Sequence, residues 1–112
     1  EDSRAARNDR RLMQTEFREE SFAIARQLKA HAAQTGRTPV QWALAWLWAN
    51  RIVASVIAGP RTLSQWQDYV AAIGTPWSAE DEALVDSLVR PGHPSTPAYS
   101  DPQYPIYGRR LA

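Results

Sequence analysis

The chain has 112 residues, which is the length of one domain or of part of one. Its 44% hydrophobic and 22% charged residues exclude a disordered chain, and the absence of cysteine excludes disulfide scaffolds, cysteine-based zinc sites and thiol nucleophiles. A formal net charge of +1, from 13 basic and 12 acidic residues, gives no support to a nucleic-acid partner.

The sequence predicts neither a membrane span nor a signal peptide. No apolar run approaches the roughly 18 residues that a bilayer requires, and the first eleven residues are mostly charged. The chain opens at Glu1, and Met13 is its one methionine. We therefore expect a processed, cleaved or excised piece of a longer protein.

Residues 1–12 are polar and mixed in charge, which predicts a loop or a mobile arm. A helical repeat follows them, and Gly36 is suited to the left-handed turn that would end this helix. The apolar positions on one face of the helix are Phe17, Ile24, Leu28 and Ala32.

A second helix is predicted from Thr38 to about Asn50. Thr38 can accept the backbone N–H of Gln41 while the Gln41 side chain reaches back to Thr38, and Pro39 occupies the first helical position, where no N–H is needed. The helix is apolar nearly all round. Such a helix must be covered on more than one face.

The segment 52–58, IVASVIA, predicts a buried strand of the parallel type that helices flank. Gly59 and Pro60 would end this strand. A single strand cannot pair its own backbone N–H and C=O groups, so its neighbours must lie on another stretch of chain or on a second chain.

Two more capped helices are predicted after this strand. The first begins at a capping box of Thr62 and Gln65 and stops at Gly74, and the second begins at Ser78. The apolar stripe of the first helix, which we expect to face the core, consists of Leu63, Trp66, Val70 and Ile73. Residues 91–112 contain five prolines and three tyrosines and predict an extended tail.

The predicted order of elements is helix, helix, strand, helix, helix and extended tail, which is an α/β arrangement. Continuous apolar strands between helices occur in doubly wound sheets and in (β/α)8 barrels, and the pattern alone leaves both open. A full barrel takes about 250 residues, so this chain would be less than half of one.

Two segments resemble motifs of the aldo-keto reductase family. Residues 38–47, TPVQWALAWL, are similar to a TPxQxALAWL segment, and residues 55–65, SVIAGPRTLSQ, resemble the last barrel strand and the cofactor loop after it. Order and spacing agree over residues 38–90. The resemblance implies the C-terminal part of a (β/α)8 TIM barrel over residues 13–90, with an extra C-terminal helix, followed by a Pro/Tyr-rich C-terminal tail over residues 91–112.

By this resemblance, the whole protein would be an oxidoreductase that reduces a small carbonyl compound with NADP(H). The family's catalytic Asp, Tyr, Lys and His lie on earlier strands, and none of them maps onto this chain; His31 and His93 are interpreted as surface residues. The N-terminal part of the barrel, on the same or a second chain, would supply them. We expect a cytoplasmic protein without a metal site, a nucleic-acid partner or a membrane partner.

The expected contribution of this chain is half of the cofactor site, formed by Gly59, Pro60, Arg61, Thr62, Gln65 and Tyr69. The loop 59–62 precedes a helix whose N-terminus favours an anion. The planar guanidinium of Arg61 is always charged and is suited to binding a phosphate. The resemblance assigns Arg61 to the adenosine 2′-phosphate and Gln65 to the adenosine, although Gln65 is also the capping partner of Thr62. Tyr69 stands where many members of the family have Asn. Its ring could stack on the adenine, or its hydroxyl could donate a hydrogen bond to it.

Two alternative functions remain open from the sequence. One is a non-enzymatic, aldo-keto-reductase-like regulatory or binding subunit, which would lack the four catalytic residues. The other is an independent helical domain that docks a partner through its tryptophans, although a solitary strand argues against it. For Tyr99 and Tyr104 of the tail, contact with the substrate and simple packing both remain open.

Overall fold

The computed structural model describes residues 3–96 and Leu111. The predictions for the rest of the tail, including those for Tyr99 and Tyr104, lie outside these residues. No helix in the described part of the chain is both long and apolar enough to cross a membrane. The helices there are α1 (Arg10–Thr15), α2 (Glu19–Gln34), α3 (Pro39–Trp48), α4 (Leu63–Ala71) and α5 (Ala79–Leu88).

Local hydrogen bonds fix the starts of the last three helices as the sequence predicts. In each capping box, the N-cap hydroxyl accepts the backbone N–H three residues later, and that residue's side chain accepts the N-cap N–H. Replacing such a cap by alanine typically costs about 1 kcal/mol. The three pairs are Thr38 with Gln41, Thr62 with Gln65, and Ser78 with Asp81.

The end of α2 is set by Gly36, whose φ is +70°. Its N–H donates to the carbonyl of Ala33 at 3.1 Å, and the N–H of Arg37 donates to the carbonyl of Ala32 at 2.9 Å. This pair of bonds defines a Schellman turn, in which glycine takes the left-handed conformation without a Cβ penalty. The turn reverses the chain so that Arg37 reaches α5.

The N-terminal segment is more helical than predicted. The sequence pattern assigns residues 1–12 to a loop, but α1 begins at Arg10. Asp9 caps it by accepting the N–H of Leu12 at 2.9 Å, and the Asp9 carboxylate also accepts a hydrogen bond from Arg4 at 3.0 Å. A helix of six residues is too short to show an apolar period, so the pattern could not indicate it.

The predicted local strand is wrong over the described residues. Residues 53–60 have no regular secondary structure, and the one bridge in the described part is an antiparallel pair between Asn50 and Leu111. A strand needs neighbouring strands for its backbone donors and acceptors. Because no described segment supplies a ladder, the fold of residues 3–96 is helical, and the predicted order helix, helix, strand, helix, helix does not hold there.

The small core lies where α3 packs between α2 and α4, and α5 packs on α2. Trp42 is its largest member and is only 5% exposed. The Trp42 ring lies 4.7 Å from the ring of Trp77 and meets His31 edge-on at 6.3 Å, between ring centres. The other buried apolar residues among those described are small: Ala32, Ala45 and Ala72.

The α4 apolar face, defined as Leu63, Trp66, Val70 and Ile73, is exposed rather than buried. The expectation that it faces a core is therefore wrong within this structure. Trp66 is 51% exposed, and Ile57 in the preceding segment is fully exposed. Helix α3 and the segment 53–60 border only one side of this face, so most of its apolar surface remains in contact with water.

Candidate functional site

The loop that precedes α4 is organised by one side chain, Gln65. Its Oε1 accepts the backbone N–H of Arg61 at 2.6 Å and that of Thr62 at 3.3 Å. In return, Thr62 Oγ1 accepts the N–H of Gln65 at 3.2 Å. The backbone of Arg61 is therefore held against the start of the helix, one residue before the N-cap.

These bonds reduce the number of backbone donors at the start of α4. The intrahelical ladder begins with the N–H of Trp66, which donates to the carbonyl of Thr62. The N–H groups of Arg61, Thr62 and Gln65 are engaged by the cap. An anion at this helix terminus would therefore meet the N–H groups of residues 63 and 64, together with the positive end of the helix dipole.

The other predicted site residues lie along the same loop and helix. Arg61, Thr62, Gln65 and Gly59 are exposed, whereas Pro60 is half-buried. A Cβ added at Gly59 would meet nothing within 4 Å in the described part of the chain. Packing against the protein therefore gives no reason for glycine at this position.

Tyr69 lies one helical turn after Gln65, on the same side of α4. It is half-buried and lines a groove of about 140 Å³ between α3, α4 and the segment 53–60. The groove is otherwise apolar, with Trp48 and Trp66 among its walls. The structure thus joins Arg61, Thr62 and Gln65 by hydrogen bonds and places Tyr69 beside them through the helix.

A second polar cluster, which the sequence analysis missed, is centred on Asp81. This carboxylate is only 1% exposed and accepts six hydrogen bonds. Oδ1 accepts from His31 Nε2 at 2.7 Å, from Trp42 Nε1 at 2.9 Å and from Arg37 Nη2. Oδ2 accepts at 2.9 Å from Arg37 Nη1 and from both the N–H and the hydroxyl of Ser78.

The sequence signals only part of this cluster. Asp81 is recognisable as the capping partner of Ser78, but Arg37 precedes it by 44 residues and His31 by 50. The interpretation of His31 as a surface residue is incorrect, because its ring is half-buried and bonded to Asp81. An ionised carboxylate only accepts, so His31 Nε2 carries a proton.

The cluster keeps Asp81 ionised. Burial by itself would raise the pKa of Asp81, but the hydrogen bonds from Arg37, the Ser78 backbone, Trp42 and His31 outweigh burial and hold it well below its usual range. Every neighbour is a donor, so a proton on the carboxyl group would displace one of these bonds.

This lowered pKa predicts an acid-sensitive fold. A carboxylate whose pKa is depressed by folding contributes stability above its unfolded pKa and loses it as pH falls towards the folded value. We expect the free energy of unfolding to decline below about pH 4, where an unfolded Asp begins to bind protons. Denaturant titrations at stepped pH measure this. In the Asp81→Asn variant, the free energy of unfolding should fall less steeply as the pH drops below about 4. Equal slopes in the two proteins would contradict the assignment of this acid sensitivity to Asp81.

The sequence of this chain matches the model of a known protein family. The sequence model of the aldo/keto reductase family matches residues 1–90, which include all five helices and the loop before α4. The comparison found no match among curated proteins or among solved structures. A match over most of the chain identifies the family, and this chain therefore belongs to the aldo/keto reductase family.

Proposed function

We propose that this chain supplies the adenosine 2′-phosphate half of the cofactor site in an NADP(H)-dependent aldo-keto reductase. The observation that carries the proposal is the bond from Arg61 N–H to Gln65 Oε1 at 2.6 Å. It holds the backbone of Arg61, an exposed residue, at the positive end of α4. In this proposal, the guanidinium of Arg61 and the positive end of the helix dipole both act on the phosphate, a combination that suits a doubly charged group.

Gln65 can act in this site without giving up its role as a cap. Its amide oxygen accepts two backbone N–H groups, so the amide NH₂ is the part that remains to face a ligand. We assign that NH₂ to an acceptor atom of the adenosine. Tyr69 lies one turn further along α4 at the edge of the apolar groove, where its ring is available to the adenine.

The exposed apolar surface supports the proposal that this chain is part of a larger barrel. The α4 apolar face and residues 52–58 expose side chains such as Ile57 and Trp66. An apolar patch of this kind marks a surface that another part of a protein covers. In this proposal, the covering part is the remainder of the barrel, on the same or a second chain, and its strands give residues 52–58 the ladder they lack here.

The reaction in this proposal is hydride transfer between NADP(H) and a small carbonyl compound. The nicotinamide cofactor supplies the hydride. This chain binds and orients the adenosine end through Gly59, Pro60, Arg61, Thr62, Gln65 and Tyr69. The Asp, Tyr, Lys and His of the family's chemistry belong to the covering part, so this chain contributes no catalytic residue.

Cofactor titration of the full-length protein tests the proposal. We expect NADPH to bind more tightly than NADH by about 1–3 kcal/mol, the range for a hydrogen bond to a charged group. Quenching of tryptophan fluorescence follows binding, and consumption of NADPH with a panel of aldehydes follows turnover. Equal affinity for the two cofactors would reject the 2′-phosphate site, whereas tight binding without turnover would favour a regulatory or binding subunit.

The isolated 112-residue chain provides a second test. It lacks the catalytic residues in this proposal, so we expect no aldehyde reduction at any NADPH concentration. Turnover by the pure chain, with any longer species excluded by intact mass, would contradict the proposed division of the site.

A further inference from the structure

Helix α5 is attached to the rest of the described chain mainly through one charged residue. Asp81 is the only residue of α5 that is buried. The apolar residues on its inner side, Leu84, Val85 and Leu88, remain half-exposed. Apolar packing therefore contributes less to holding α5 than is usual for a helix on a core.

An open groove runs along the inner side of α5, so the helix does not close fully over its neighbours. The groove has a volume of about 480 Å³ and lies between α2, α3, α5 and residues 93–95. Val85 lines it from α5 and Val89 from the C-cap position after α5, while Ile24 and Leu28 line it from α2. Apolar side chains that border an open groove stay partly in water and gain less from burial, so this interface is weak where α5 is apolar.

The bonds to Asp81 cross from α5 to every element beneath it. His31 donates from α2, Arg37 from the loop between α2 and α3, and Trp42 from α3. Arg37 also donates to the carbonyl of Pro76, which ties down the chain that leads into α5. By contrast, α2 and α3 pack directly on each other and do not need this carboxylate to meet.

We propose that α5 is a latch held closed by the pairing of Asp81 with Arg37. When the pairing is broken, helix α5 (Ala79–Leu88) separates as a unit from α2 and α3 and leaves the apolar groove between them uncovered. The groups that face Asp81 are Arg37, His31, Trp42 and Ser78, all donors, while the neighbouring Glu82 turns away and accepts from Trp77 Nε1 at 2.7 Å. No negative charge among the described neighbours replaces Asp81.

Hydrogen exchange on the full-length protein tests the latch. In Asp81→Asn, an amide NH₂ faces groups that are themselves donors, and Arg37 loses its counter-charge. We expect the protection of amides in α5 to fall on the order of a hundredfold, the effect of breaking a buried ion pair. The amides of α2 and α3 should keep most of their protection. The matched control is Asp86→Asn, the same change at an exposed position of α5.

The outcomes separate a latch from a simple loss of stability. Protection lost in α5 alone, with the Asp86→Asn control unchanged, supports the proposal. An α5 that stays protected in Asp81→Asn, or an equal loss in all three helices, overturns it. If Asp81→Asn yields only aggregated protein, Arg37→Lys decides by the same criterion, because one ammonium cannot bond both carboxylate oxygens.

Discussion

Replacement of Trp42 by alanine lowers the free energy of unfolding by about 3–5 kcal/mol, the range for removing a buried aromatic side chain. Trp42 is the one large apolar side chain buried among the described residues. Its ring packs on Trp77, and its Nε1 donates to Asp81. The variant therefore leaves a cavity and removes a donor from a buried carboxylate.

Denaturant unfolding of the full-length protein measures this loss. Trp42→Phe keeps a six-membered ring but removes the part of the indole that carries Nε1 and its bond to Asp81, so we expect a smaller cost, about 1.5–3 kcal/mol. Phe17→Ala serves as the exposed-aromatic control, because Phe17 is 42% exposed. An effect of Phe17→Ala as large as that of Trp42→Ala would contradict the assignment of the core to Trp42.

Arg61→Ala should weaken NADPH binding by about 1–3 kcal/mol and leave NADH binding nearly unchanged, because only NADPH carries the 2′-phosphate that the guanidinium would bind. The cap should stay intact, since Gln65 binds the backbone of residue 61 and not its side chain. Calorimetric titration with both cofactors measures the two affinities.

One further variant at this site and one control variant on α2 separate the effect of charge from that of structure. Gln65→Glu keeps an acceptor for both backbone N–H groups but places a negative charge beside the phosphate, so NADPH binding should weaken without a loss of stability. Arg26→Ala removes an exposed arginine of α2 that pairs with Glu19, and it should change neither affinity. Equal losses for NADPH and NADH in Arg61→Ala would reject the 2′-phosphate role.

The starts and ends of the helices were predictable because they depend on residues close in sequence. A capping box needs only a hydroxyl and an acceptor three positions later, as at Thr62 and Gln65. The Schellman turn at Gly36 needs only one residue that tolerates a positive φ. The short helix α1 escaped prediction because its signal is a single cap at Asp9.

The candidate site also has a part that the sequence predicts and a part that only the structure shows. The loop residues from Gly59 to Gln65 follow one another in the chain, so the sequence could place them together. The bond from Gln65 to the N–H of Arg61 could not be predicted, because the capping pattern specifies only the N-cap N–H as its target. That additional bond holds the backbone of Arg61 against the start of α4.

The sequence by itself determined the family, the later helices with their caps, and the loop that opens α4, since these depend on local spacing and on side-chain type. The tertiary structure alone decided the burial of Asp81, because its partners lie up to 50 residues away and meet only when α2, α3 and α5 pack. It also decided that residues 53–60 form no strand among the described residues. A strand is a property of paired segments, and apolar alternation in one segment cannot supply the second.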